Sequence, residues 1–283
     1  MPSQHFPRLF SPLDIKGLQL KNRVVMAPMG NRYPSYYYQV TQRLRDYYVE
    51  RAKGGAGLII VQFTCVAPEG RGSFYLTGLW DDSFIPGLRA LVEDIHEAGA
   101  KAAVQLAHAG AAGRSLFTGT RPVAPSAIAL KGGEMPKALS VSEIEELVES
   151  FGQAARRARD AGFDAVEFHA AHGYLLNQFL SPLWNQREDR YGGSLENRAR
   201  FLLEILARTR QLLGESFPIM VRLCADEFLP GGISLSEGCA TARLLEAAGV
   251  DVLDVTAGIG ETSAGSVPST FVPPGTLVPL AAA

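Results

Sequence analysis

His169, His172 and Tyr174 stand within six residues of one another in the stretch FHAAHGY, in a chain with only five histidines. They follow the apolar run DAVEF, where a buried strand gives way to a loop. Neutral imidazoles donate N–H to a substrate oxygen and a nearby phenol supplies a proton, so the trio suits acid catalysis on a polarised carbonyl. A second reading makes the histidines metal ligands of a hydrolase. Strand alternation puts Glu167 on the face of His169, so direction alone leaves that reading open.

Two more polar residues sit in strand-like runs. Gln105, in AAVQL, offers a donor and an acceptor, as either a satisfied core amide or a reader of an imide-like edge. Arg222 follows PIMV. It either pairs with Asp226 or Glu227 at a rim or serves as a fixed cation for a ring that gains negative charge. The strand ends as a set read as rich in donors and poor in carboxylates, unlike a glycosidase.

Chemistry of this kind needs a scaffold that brings separate strand ends together. Four times an amphipathic segment ends at a glycine and a β-rich run follows: RAKGGAG before LIIVQF, HEAGA before KAAVQL, RDAGFD before AVEFH, and LEAAGVD before VLDVT. RVVMAP and PIMVRL complete six strands, starting near residues 24, 58, 102, 165, 219 and 252. Ser140 with Glu143 and Ser234 with Glu237 match capping boxes, and a third helix starts near Ser194. Nearly all-apolar strands alternating with helices predict an α/β fold with a parallel sheet. No G-x-G-x-x-G follows the first strand, and the long loops come after strands, which favours a (β/α)8 TIM barrel over a Rossmann sheet. FPRLFSPLDIKGLQLKN is read as a hairpin closing the barrel bottom.

The 283 residues carry 27 Lys and Arg against 29 Asp and Glu, a net charge of −2 without a basic field for nucleic acid or acidic lipid. The three cysteines lack paired spacing and read as reduced thiols. No leader-like region and no run of about 20 apolar residues stands in the sequence, so a cytoplasmic protein is expected, with neither membrane nor nucleic acid as partner.

NRVVMAPMG, VQLAHAG, FHAAHGYLLNQFLSPLWNQREDRYGGSLENRARF and VRL resemble the old yellow enzyme family of flavin-dependent ene-reductases, in order and spacing, from about residue 6 onward. The resemblance implies a (β/α)8 barrel with FMN at its C-terminal mouth and NADH or NADPH as reductant. It implies a small-molecule substrate, an α,β-unsaturated carbonyl or an enoyl or dienoyl compound, and leaves a homo-oligomer open. Ala27, Pro28, Met29 and Gly30 would run along the flavin edge. Gln105 would bond its pyrimidine part, and Arg222 would sit by N1 and O2. His169 and His172 would hold the substrate carbonyl, and Tyr174 would give the proton.

Arg187, Asp189, Arg190 and Arg198 are assigned to a framework that locks the long loop. Trp80 and Trp184 are assigned to packing, and the three tyrosines of PSYYYQV to the substrate entrance. Against the family pattern, Gly30 lacks a flavin-tuning side chain, Arg114 takes the basic loop role after HAG, and Phe63 is bulky for a residue facing the cofactor. Only about six of eight βα units are present, and the family's phosphate loops follow the seventh and eighth strands. Residues 1–283 are therefore expected to form one FMN-binding barrel domain, C-terminally truncated, that binds FMN poorly alone. The alternative is a flavin-poor, non-catalytic binding or assembly module.

Overall fold

Helices that stop at glycine feed a curled parallel sheet. At Gly162 (φ 96°) and Gly249 (φ 83°) the chain takes a left-handed turn that a side chain would strain, and the next strand starts within three residues. The structure, a computed structural model, describes residues 5–262 and 272–283. Its elements run β1 (Leu13–Ile15), β2 (Leu18–Leu20), β3 (Val25–Met26), α1 (Gln42–Lys53), β4 (Leu58–Cys65), β5 (Thr77–Gly78), α2 (Ile85–Glu97) and β6 (Lys101–Ala107). There follow α3 (Ser115–Thr118), β7 (Val123–Ala124), β8 (Lys137–Ala138), α4 (Val141–Asp160), β9 (Ala165–Ala170), α5 (Leu175–Leu180) and α6 (Leu195–Leu213). The last are β10 (Ile219–Cys224), α7 (Leu235–Ala247), β11 (Val252–Thr256) and α8 (Val278–Ala282).

The main sheet has the order β3-β4-β6-β9-β10-β11, every pair parallel, with β5 beside the end of β4. Each strand bonds the next long strand in the chain. That sequential order belongs to a TIM barrel and not to a doubly wound sheet. Six of the eight strands of a (β/α)8 barrel are present among the described residues, starting within a residue of the positions expected from sequence. β3 and β11 are the two edges, and α8 packs on β11.

The inner face is layered. Leu58, Ile60, Ala103, Ala165 and Met220 pack with Leu20 at one end of the sheet, joined by Leu13, Ile15 and Leu18. The antiparallel hairpin of β1 and β2 thus plugs the bottom of the barrel, as its sequence suggested. Above that layer the inward positions turn polar. The outer face packs on helices: α4 buries Ile144, Leu147, Phe151, Ala155 and Ala158 at helical spacing, and Phe151 meets Phe168 and Phe201 edge-on. Both capping boxes are formed, and Ser194 caps α6. No described helix is long and apolar enough to cross a membrane.

Glu227, just beyond β10, ties the loops to the barrel. Its buried carboxylate accepts from Asn177 Nδ2 (3.0 Å), Ser181 Oγ (2.8 Å) and the Ile233 amide (3.0 Å). Arg187 spans Asp189 and the carbonyls of Pro125 and Leu139, Arg198 bonds Glu237 and the Leu180 carbonyl, and Arg190 reaches Glu145. The long motif is therefore locked as expected. Glu227→Ala strands three buried donors, each worth about 1–3 kcal/mol when unpaired. Urea unfolding is expected to show a loss of roughly 3 kcal/mol or more, and an unchanged midpoint would contradict the tie.

Candidate active site

Parallel pairing fixes which polar side chains meet. Gln105 lies opposite Glu167, and Arg222 lies between His169 on one neighbouring strand and Asp254 on the other. At the C-terminal ends of these strands opens a cavity of about 480 Å³, within the range of roughly 300–1,000 Å³ typical of small-molecule and cofactor sites. His169, His172, Tyr174, Gln105, Arg222, Pro28, Met29 and Gly30 all line it. Ala27 does not, and its side chain is exposed instead. Arg32, Phe63, Ser73, Leu76 and Thr256 join the wall. Another hollow of about 410 Å³ lies along β11 and α7, but no histidine or tyrosine lines it, so the chemistry is assigned to the mouth.

The histidine loop is held by backbone geometry and two amides. His172 (φ 62°) and Gly173 (φ 75°) are both left-handed, at a cost of about 1–2 kcal/mol for the histidine. Asn177 Oδ1 accepts from the Gly173 amide (2.7 Å), and Gln178 Nε2 donates to the Gly173 carbonyl (2.6 Å). The turn places His172 Nε2 3.0 Å from Thr256 Oγ1. The His169 ring stands perpendicular to that of His172, centroids 5.1 Å apart, and 4.9 Å from the Tyr174 ring. Phe63 closes the cluster at 5.0 Å from Tyr174, so its bulk is used as packing beneath the phenol. The Tyr174 hydroxyl has no hydrogen-bond partner among the described residues.

The floor of the cavity departs from the sequence reading. Gln105 Nε2 donates to Glu167 Oε1 (2.9 Å), and Arg222 lies near Asp254, not Asp226 or Glu227. Arg222 Nε and Asp254 Oδ2 are 3.5 Å apart, close enough to attract as charges but not aligned as a hydrogen bond; both atoms count as unpartnered. Arg222 Nη1 also reaches the Pro28 carbonyl at 3.5 Å. Two carboxyls thus stand below a mouth that had read as poor in them. The signal was present, since Asp254 alternates with Val252 and Thr256 in VLDVT and must share their face.

Burial dominates the electrostatics. It pushes His172 down to about 4 and holds His169 well below the usual histidine value, and the Arg222 charge adds to both shifts. Both imidazoles are neutral at pH 7. Burial raises the Tyr174 phenol, which stays protonated. Among the described residues no group of three or more His, Cys, Asp or Glu side chains is placed to hold a metal ion.

Of the three tyrosines, Tyr38 is buried beside Trp80, while Tyr36 and Tyr37 are exposed, Tyr36 stacking on Phe74 at 5.2 Å; none lines the cavity. Arg114 reaches the Gly132 carbonyl and stands outside the cavity. A Cβ added at Gly30 would meet nothing within 4 Å, so the space for a tuning side chain is open.

These residues fit a flavin. Buried Arg222 Nε and His169 Nδ1 lack partners, the Pro28–Gly30 backbone forms one wall, and the donor set suits a flat ring with an imide edge.

Residues 8–262 match the NADH:flavin oxidoreductase / NADH oxidase family. The NADH oxidase of Thermoanaerobacter brockii is 47% identical over 261 residues, 91% of this chain and 40% of that protein. The NADPH dehydrogenase of Halalkalibacterium halodurans is 44% identical over 282 residues, covering 98% of this chain and 79% of its own. The solved 2-naphthoyl-CoA reductase, in complex with 2-naphthoyl-CoA, superposes with a TM-score of 0.93 at 33% identity, over 97% of this chain and 44% of that one. The chain thus spans about two-fifths of the first of these relatives. Its sheet order, its donor-lined mouth and these matches place it in the NADH:flavin oxidoreductase / NADH oxidase family, of old yellow enzyme type and built on the (β/α)8 barrel.

Proposed function

We propose that this chain is the FMN-binding barrel of a cytoplasmic NAD(P)H-dependent oxidoreductase that reduces the C=C bond of an α,β-unsaturated carbonyl or enoyl thioester. The observation that carries the reading is the convergence of His169, His172 and Tyr174 with Gln105 and Arg222 on one cavity. Bound FMN supplies the hydride chemistry, loaded from NADH or NADPH. Gln105 and Arg222 would hold the pyrimidine side of the ring, and the Arg222 charge would stabilise negative charge there. Pro28, Met29 and Gly30 present backbone to its edge. The names NADH oxidase and NADPH dehydrogenase of two relatives support the nicotinamide donor, and that of 2-naphthoyl-CoA reductase is compatible with a thioester acceptor.

The protein's own chemistry is polarisation and proton delivery. Each neutral imidazole keeps one N–H, so His169 and His172 grip the carbonyl oxygen where enolate charge develops. Because burial keeps them uncharged, neither competes with Arg222 for the anion. Tyr174, 4.9 Å from the His169 ring and with a free hydroxyl, protonates the carbon opposite the hydride face.

FMN added in excess is expected to give a bound flavin spectrum that NAD(P)H bleaches anaerobically and cyclohexenone restores; no bleaching would overturn the reading. Tyr174→Phe is expected to slow the cyclohexenone step by about 10²–10⁴-fold while flavin reduction keeps its rate. Equal loss in both steps would remove the phenol from its role.

Acid sensitivity follows from the neutral histidines. The folded value of His172, about 4, lies below its unfolded value of roughly 6.5. The unfolded chain therefore takes up the proton first. The stability contributed is full above about pH 6.5, declines as pH falls through that value, and levels off once pH is below the folded value. The urea midpoint of His172→Gln is expected to fall less over this window than that of the parent chain, and identical slopes would contradict the assignment.

A further inference from the structure

Three buried atoms on the cavity floor lack partners together: Glu167 Oε2, Asp254 Oδ2 and Arg222 Nε. Two of them are carboxylate oxygens, which accept and cannot bond one another without a proton between them. Glu167 on β9 and Asp254 on β11 flank the strand that carries Arg222, so both carboxyls converge on one guanidinium. With both ionised, two negative charges would face a single guanidinium inside the barrel, and one negative charge would remain uncompensated.

We propose that Glu167 stands as the neutral acid, donating its Oε2–H to Asp254 Oδ2, so that the floor holds one carboxylate against the Arg222 guanidinium. The proton sits on glutamate for geometric reasons. Glu167 is wholly buried, its other oxygen is taken by Gln105 Nε2, and it forms no ion pair among the described residues. Asp254 keeps 24% of its side-chain surface accessible and stands 3.5 Å from the guanidinium, where a carboxylate is favoured. The groups facing the shared proton are Gln105 on β6, His169 on β9, Arg222 on β10 and Asp254 on β11. Burial, then the Asp254 charge, pushes Glu167 above the usual glutamate range; burial raises Asp254 as well, and there the Arg222 charge opposes it.

Glu167 and Asp254 thereby act as positioning residues for Arg222. The proton belongs to the chain itself; its consequence rests on the flavin reading above. With one negative charge beside it and not two, the Arg222 edge of the mouth would accept the negative charge of a reduced ring, which an ionised Glu167 would oppose.

Infrared spectroscopy of the flavin-free chain at pH 7 tests the proposal. Expected is a C=O stretch of an un-ionised carboxyl that moves in D2O, shifts when glutamate is ¹³C-labelled at its carboxyl, and disappears in Glu167→Gln. Asp254→Asn is expected to displace the band, because its acceptor has become an amide. Glu227, the other buried glutamate pushed upward, is controlled by Glu227→Gln, which is expected to leave the band in place. That control, with the labelled parent chain, assigns the proton even if Glu167→Gln does not fold. Absence of the band, a shift with labelled aspartate instead, or loss in Glu227→Gln would overturn the proposal. A band present in a chain that never binds FMN would leave this inference standing and sink the function.

Discussion

A guanidinium inside a parallel barrel is the constraint around which the mouth is organised. Arg222 lies one strand from His169 and one strand from Asp254, and nothing apolar could face it there without stranding its charge. Its neighbours follow from that demand. Asp254 supplies the opposite charge, Glu167 and Gln105 extend the polar layer, and the histidines above are held neutral partly by the same cation. A single fixed positive charge thus sets the acceptor side of the cavity and reinforces the neutrality that burial imposes on its histidines.

The rest of the barrel isolates that layer. Beneath it, Leu58, Ile60, Ala103, Ala165 and Met220 pack against the terminal hairpin, keeping the lower barrel dry. Outside, α4 and α6 clamp the strands through Phe151 and Phe201. Above, the left-handed turn at His172 stores local strain that the Asn177 and Gln178 amides and the Glu227 staple offset. Rigid strands fix Gln105 and Arg222, while a braced loop carries the residues that meet substrate. That division places precision where charge must be balanced.

Most of the scaffold was legible in the sequence, because its signals are local. Glycine stops, serine–glutamate caps and apolar runs each depend on a few neighbouring residues, and the strand starts and capping boxes formed where they were read. The histidine–tyrosine cluster was legible for the same reason, being one loop. The floor was not. Which inward side chains meet across a barrel depends on strand tilt and register, so the partner of Arg222 was sought in Asp226 and Glu227 beside it in sequence and proved to be Asp254 on the next strand. Gln105 was left between a satisfied core amide and a reader of a ring edge; one of its donors is given to Glu167, and it lines the cavity as well. Ala27 shares the motif of Pro28 but not its orientation, since the chain there leaves the edge strand β3. The tyrosines of PSYYYQV look alike in sequence and differ in burial, because loop geometry, including a left-handed Tyr38, decides which one turns inward.

The most direct test of the central claim is a crystal structure of the chain soaked with riboflavin, whose ring carries the edge that Gln105 and Arg222 are assigned to hold. The account predicts the ring in the mouth, its pyrimidine edge within hydrogen-bond distance of Gln105 and Arg222 and one face toward His169, His172 and Tyr174. A ring bound along the outer face of β11, or a cavity that stays free of it at saturating concentration, would contradict the account.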